Sequence, residues 1–185
     1  MLVLRRRPGE AIVFDGGLRV VVTGLEDQRA WLQFAAPGIA QPIGLAVVLS
    51  TDAEACIAVR GPRAVAAEPE SWAIRVECAA DDATVLLVNR RPGEALVFPG
   101  LQVTLRATAP ERAELELGCA ALVAPVVLSA FPASGGEVKL GIDAPREVRV
   151  LREEVWRELE AANTDAGRAW TPEELADLSA AFRRR

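Results

Sequence analysis

The sequence predicts a mainly β protein built from two copies of one small β unit. Two stretches 84 residues apart, 1–14 and 85–98, are closely similar in sequence. Several short segments alternate between apolar and polar residues, and turns rich in glycine and proline separate them. Internal repetition sets the number of folding units, and period-two alternation is typical of strands with one buried face.

The repeat continues beyond its first strand and divides the chain into two units and a tail. The matching pairs are 17–20 with 100–103, 47–50 with 126–129, 61–63 with 144–146, and Trp72 with Trp156. Because the offset stays near 80 throughout, we place unit 1 at 1–80, unit 2 at 84–162 and a tail at 163–185.

Strands and tight turns account for most of each unit. The alternation is clearest over 18–23, 101–106 and 138–143. Pro8-Gly9 and Pro92-Gly93 are turn signals between two such segments, and so are 15–17 and 99–100. Short strands joined by tight turns indicate an all-β arrangement.

Helix is predicted only late in the chain. Residues 150–162 place Val155, Trp156 and Leu159 on one helical stripe, and two glutamates at 153–154 favour the N-terminal turn. After a polar break at 163–168, Thr171 caps a second short helix at 172–182, with proline at its first position.

Composition excludes several classes of function. The net charge of −5 and the pI of about 5.0 argue against a nonspecific nucleic-acid coat but leave room for a local basic site. The chain has no histidine, so we expect neither an enzyme nor a cofactor. Cys56, Cys78 and Cys119 fit no zinc or disulfide spacing and are expected to be reduced thiols in a cytoplasmic protein. We expect no signal peptide and no membrane span.

Both ends of the repeated region resemble the carbon storage regulator (CsrA, or RsmA) family. Residues 1–10, Met-Leu-Val-Leu-x-Arg-Arg-x-Gly-Glu, resemble the opening of family members. Residues 138–154, with Gly-Ile-x-Ala-Pro followed by Arg-Glu-Glu and an amphipathic segment, resemble their ending. The match is good over about 1–24 and 137–160, weaker over 85–107, and slight over 25–83 and 108–136.

The resemblance implies a fold and a ligand. Family members are short chains of five strands and a helix, and two chains intertwine into a dimer; this chain resembles such a dimer fused into one polypeptide. The implied ligand is single-stranded or hairpin-loop RNA with GGA, in messenger leaders or small RNAs. A flagellar assembly factor is the implied protein partner, and neither DNA nor a membrane is expected to bind.

The chain departs from the family pattern in its length and in the end of unit 1. Segments 25–54 and 108–136 are insertions between the third and fourth strands, and each is expected to add a hairpin. Unit 1 has Ala-Glu-Pro-Glu-Ser at 67–71 where unit 2 has Val-Leu-Arg-Glu-Glu at 150–154, so the family ending is eroded in unit 1.

These departures predict two unequal RNA sites. If the units cross-pair as the resemblance implies, one site comprises Leu4, Arg6, Arg7, Val148, Val150 and Arg152. Arginine offers planar donors for guanine and phosphate, and apolar strand residues offer a surface to unstacked bases. The other site would join Val88, Arg90 and Arg91 to Val65, Ala67 and Glu68. It lacks an arginine matching Arg152, and its glutamates would repel phosphate, so we expect it to be degenerate.

Two functions follow as hypotheses. The first is a post-transcriptional regulator that binds GGA-containing RNA through one intact site. The alternative is a CsrA-like protein-binding module that has lost RNA binding and acts through protein partners; the acidic pI and the eroded second site favour it.

Overall fold

The computed structural model describes residues 1–27, 29–67, 72–79 and 84–166. Within these ranges it contains fifteen β-strands and one α-helix. The strands of the first half are β1 Leu2–Arg6, β2 Ala11–Phe14, β3 Arg19–Glu26, β4 Arg29–Ala35, β5 Ile43–Ser50, β6 Ala55–Arg60, β7 Pro62–Ala67 and β8 Ala73–Cys78. Those of the second half are β9 Val85–Arg90, β10 Ala95–Phe98, β11 Leu101–Ala109, β12 Arg112–Gly118, β13 Val126–Ala130, β14 Val138–Asp143 and β15 Val150–Arg152, followed by α1 Glu153–Ala166.

The chain divides into a compact body, Met1–Glu153, and a second part, Glu154–Arg185. The described portion of the second part belongs to helix α1, in which Val155 and Leu159 are exposed. The helix begins three residues later than the sequence pattern predicts, because 150–152 form a strand. The predicted helix at 172–182 lies outside the described residues. Among the residues described, no helix has the length and apolar character needed to span a membrane.

Strands of the two halves are exchanged between two sheets. The eight-stranded sheet has the order β1-β14-β13-β12-β11-β10-β8-β7, so strands of the second half are flanked by strands of the first. The seven-stranded sheet has the order β15-β2-β3-β4-β5-β6-β9, with strands of the first half flanked by strands of the second. The prediction of a mainly β fold with intertwined halves is thereby confirmed, whereas the unit boundaries at 80 and 84 stay a prediction.

Each insertion contributes two central strands. β4 and β5 form within 25–54, and β12 and β13 form within 108–136. β12 pairs with β11 over Gln102–Ala109, and β4 pairs with β3 over Arg19–Glu26. The insertions therefore widen both sheets from within, which leaves the exchanged strands at the sheet edges.

The two halves end differently. In the second half, residues 144–149 separate β14 from β15, and β15 then pairs antiparallel with β2. In the first half only Gly61, at a φ of 67°, separates β6 from β7. β7 forms the outer edge of the eight-stranded sheet, and β8 returns beside it to pair parallel with β10. β8 therefore occupies beside β10 the position that β15 occupies beside β2, but β8 runs parallel to its neighbour whereas β15 runs antiparallel.

The inward faces of both sheets form one continuous apolar core. Among its largest fully buried side chains are Phe14, Phe34, Leu96, Leu105 and Leu140, which come from both halves of the chain. Cys56, Cys78 and Cys119 are free, and burial raises the pKa of the Cys56 and Cys78 thiols. Because the core is shared, neither half buries its apolar face without the other.

Gly16 offers a test of how closely the halves approach. It has a φ of 82°, and an added Cβ would overlap the carbonyl oxygen of Ala121 in the second insertion. Gly16→Ala is expected to destabilise the protein by about 3 kcal/mol, because left-handed strain of about 1–2 kcal/mol adds to over-packing. Gly9→Ala is the control: its φ is 90° but an added Cβ meets nothing within 4 Å. Equal losses in thermal unfolding would contradict the close approach to Ala121.

Candidate nucleic-acid interface

The predicted site strands, β1 and β15, end beside the same turn. β1 ends at Arg6, and residues 7–10 turn the chain into β2. β15 runs along β2 toward that turn, with Val150 opposite Phe14 and Arg152 opposite Ile12. The arginines that follow β1 and end β15 therefore lie on either side of one turn, at the edges of the two sheets.

The repeated Arg-Arg-Pro-Gly-Glu motif builds this turn. The Arg7 N–H donates to Glu10 Oε2 at 3.0 Å, and Arg6 Nη1 lies 3.5 Å from the same oxygen. The second copy repeats the arrangement, with the Arg91 N–H 2.9 Å and Arg90 Nη1 3.3 Å from Glu94 Oε2. Gly9 and Gly93 have φ values of 90° and 91°, which favour glycine. The shared residues of the motif therefore hold the strand and turn in both halves.

Glu10 makes this turn sensitive to acid. The hydrogen bond from the Arg7 N–H holds the pKa of Glu10 below its ordinary value of 4.5. Burial acts in the opposite direction and raises this pKa, whereas the positive charge of the Arg6 guanidinium lowers it further. Because the pKa of Glu10 is lower in the folded than in the unfolded protein, its ionised carboxylate stabilises the folded state above pH 4.5. This stabilisation is lost as the pH falls through the pKa of the folded state.

Glu10→Gln is therefore expected to lower stability at neutral pH, by less than about 1 kcal/mol since Glu10 is partly exposed. The difference between wild type and variant should shrink between about pH 6 and about pH 3. Urea unfolding across this range measures it, and a difference independent of pH would contradict the role of the ionised carboxylate.

The predicted site residues differ in exposure. Leu4, Arg6 and Val148 are buried, with exposed fractions of 7%, 3% and 5%. Val150 is half-buried, whereas Arg7 and Arg152 are exposed. Leu4 and Arg6 share a face, as the alternation predicts, but that face is turned into the core. Arg7 and Arg152 are thus the exposed arginines among these residues, and Arg7 donates from Nε and Nη2 to Glu137 Oε1 at 3.0 and 2.8 Å, an ion pair that a ligand would have to displace.

Ion pairs hold β15 on the first half. Arg19 donates from Nε and Nη2 to the two carboxylate oxygens of Glu153, at 2.7 and 2.9 Å. Arg149 donates from its main-chain N–H and its Nε to Asp15 Oδ2, both at 3.1 Å. A bidentate pair fixes orientation as well as position, so the strand that carries Arg152 is held at both of its ends.

Comparison with known proteins identifies this region. A family model described as "Global regulator protein family" (CsrA) matches residues 126–161, which span β13–β15 and the start of α1. A protein of Treponema pallidum, named translational regulator CsrA, is 35% identical over 54 residues, which cover 29% of this chain and 74% of that relative. The chain belongs to the CsrA family.

Other relatives match shorter stretches. A translational regulator CsrA of Brachyspira hyodysenteriae is 42% identical over 45 residues, 24% of this chain and 55% of the relative. One from Thermotoga petrophila is 44% identical over 41 residues, 22% of this chain and 49% of the relative. The chain thus spans about half the length of these relatives. No solved structure matches it.

In the second half of this CsrA-family chain, the residues predicted for the counterpart site are arranged differently. Val88 and Arg90 are buried, and Arg91 is exposed. Val65 and Ala67 lie on β7, which β8 separates from β10. Glu68 is outside the described residues. The juxtaposition expected for the second site therefore does not form through β7, because β8, and not β7, lies beside β10 where β15 lies beside β2.

Two exposed cations lie beside the predicted site and are not among the residues that the sequence predicts for it. Arg5 on β1 lies directly opposite Lys139 on β14, and both point away from the core. The second copy has Asn89 opposite Cys56 at the corresponding positions. The sequence alone shows that asparagine stands in the second copy where Arg5 stands in the first. Only the strand register shows that Arg5 lies opposite Lys139.

Proposed function

We propose that the chain is a post-transcriptional regulator that binds GGA-containing messenger leaders or small RNAs at one site, beside β1 and β15. The observation that carries the proposal is the match of the family model to 126–161, since that segment contains the strand paired onto the first half. Each curated relative compared above is named a translational regulator.

The exposed chemistry at this edge suits a single-stranded RNA. Arg7 and Arg152 supply donors that can bind guanine O6 and N7 in bidentate fashion, or phosphate. Val150 is half-buried and offers an apolar surface beside them. Proteins read RNA sequence chiefly through unpaired bases that stack on side chains and bind by their edges. Leu4, Arg6 and Val148 support this surface from the core side.

The asymmetry of the halves supports one site rather than two. Arg152 has no counterpart on a strand of the same direction in the first half, because β8 pairs parallel with β10. Val88, Arg90 and Arg91 keep the turn geometry of the motif without an equivalent partner strand. We propose that they serve the fold and that the second site is degenerate.

A titration with a GGA hairpin and a matched CCA hairpin tests this function. The proposal expects tight binding of the GGA hairpin and at least about tenfold weaker binding of the CCA hairpin, the loss that mismatched bases typically cause. Equal affinity for the two hairpins, or none for either, would contradict it.

One observation favours the alternative of a protein-binding module. On the outer face of the seven-stranded sheet, Leu87 and Val85 of the edge strand β9 are 59% and 44% exposed, whereas Ala58 and Ala46, in the same row as Leu87, are buried in a cluster with Trp31. Neighbouring exposed apolar side chains at a sheet edge are typical of protein contacts. The family resemblance names a flagellar assembly factor as a partner class. Recovery of a protein partner together with no affinity for either hairpin would decide for this alternative.

A further inference from the structure

Two positive charges face each other on the outer surface of the eight-stranded sheet. Arg5 and Lys139 are directly opposite in the antiparallel β1–β14 pair. Both side chains are exposed, and the neighbouring pair, Leu4 with Leu140, points into the core. Side chains directly opposite in such a pair have Cβ atoms about 4.5–5.5 Å apart, so the two cations share one small area of surface.

This arrangement costs stability in the absence of a ligand. Like charges directly opposite on neighbouring strands destabilise a sheet. Among the described residues, neither Arg5 nor Lys139 has an acidic partner. The nearby carboxylates are engaged elsewhere: Glu137 pairs with Arg7 at 2.8 Å, and Asp143 lies 4.0 Å from the Met1 amino group. The excess positive charge at this point is therefore not neutralised within the described part of the chain.

The second copy of the repeat lacks the paired charges. The residues opposite each other there are Asn89 on β9 and Cys56 on β6, both uncharged at neutral pH. The fold thus does not need two cations at these positions. They occur only on the half whose first strand lies beside the β15 edge.

We propose that Arg5 and Lys139 form a phosphate-binding site for the RNA backbone. Arg5 lies on β1, and Arg7 follows two residues later, just past the end of that strand, so the two residues are at most about 7 Å apart along the chain. A strand of RNA bound at Arg7 and Arg152 would pass next over the outer face of β1 and β14, where this pair neutralises one or two phosphates. This inference rests on the proposed function for the location of the bound bases, and it adds a contact that carries no base preference.

The variants Arg5→Asn and Lys139→Gln, singly and together, test the site. Binding is measured over a range of salt concentrations with the GGA hairpin and with a single-stranded oligouridine of equal length. Each phosphate contact to a single strand contributes roughly 0.7 to the slope of log affinity against log salt, so the double variant should lose about 0.7 for one phosphate or about 1.4 for two. The preference for GGA over CCA should stay unchanged, and thermal stability should stay equal or rise. Arg91→Gln, an exposed arginine of the second copy, is the matched control and should leave the slope unchanged.

The outcomes separate this inference from the proposed function. An unchanged slope in the double variant with intact GGA binding overturns the phosphate site and leaves the function standing. A reduced slope with oligouridine in a protein that shows no GGA preference supports the phosphate site and overturns the GGA assignment. A wild-type protein that binds neither RNA overturns both.

Discussion

Replacing Arg7 and Arg152 together by alanine is expected to weaken binding of a GGA hairpin roughly 100-fold. These side chains are exposed at the edge where β1 and β15 end, and each well-placed arginine contact contributes about 1–3 kcal/mol of discrimination. The fold should tolerate the change. The Arg7 side chain is exposed, and losing its ion pair with Glu137 should lower the free energy of unfolding by only about 0–1 kcal/mol.

The matched control for this double variant is Arg91→Ala. Arg91 occupies the position of Arg7 in the second copy and is exposed, but β8, the strand in the position of β15 there, runs in the opposite direction. Fluorescence anisotropy with a labelled hairpin measures all the variants. A double variant that binds as tightly as wild type, or a control that loses as much, would contradict the placement of the site.

Replacing Arg6 by alanine is expected to destabilise the protein by about 3 kcal/mol, within the range seen for losing a large buried side chain. Arg6 is only 3% exposed, and its guanidinium lies 3.5 Å from Glu10. For a chain of this size that loss corresponds to a Tm lower by roughly 6–12 °C.

Arg90→Ala is the internal comparison for Arg6→Ala. Arg90 is 6% exposed, pairs with Glu94 in the same turn, and lies in the half for which we propose no RNA site. A similar loss of Tm in both variants, measured by calorimetry, would show that the first arginine of the motif serves the fold. An Arg6→Ala protein with wild-type stability and no RNA binding would contradict this and make Arg6 a direct contact.

Much of the fold follows from the repeat and its alternation. The period of two at 18–23, 101–106 and 138–143 predicts strands because one face of each is apolar, and these segments lie in β3, β11 and β14. The end of the first half was not predictable. There the single residue Gly61 separates β6 from β7, where six residues separate β14 from β15. No pattern within 62–78 indicates that the chain forms both β7 and β8, or that β8 will pair parallel with β10.

For the candidate site, the sequence indicates which strands are involved but not which of their side chains are exposed. Alternation shows that Leu4 and Arg6 share a face, yet both faces of β1 carry apolar residues and arginine, so the sequence does not say which face is buried. Arg5 becomes notable only when the register places it opposite Lys139, a residue 134 positions away. Contacts of that separation depend on how strands of the two halves pair.

We propose that one chain carries one RNA site despite its two copies of the motif. Native mass spectrometry of the chain with an excess of GGA hairpin tests it directly. The expected result is one hairpin per chain in the wild type, and in the Arg7→Ala, Arg152→Ala variant a complex that forms only at roughly 100-fold higher hairpin concentration. Two hairpins per wild-type chain, with one retained in that variant, would show that the second half also binds RNA and would contradict the claim.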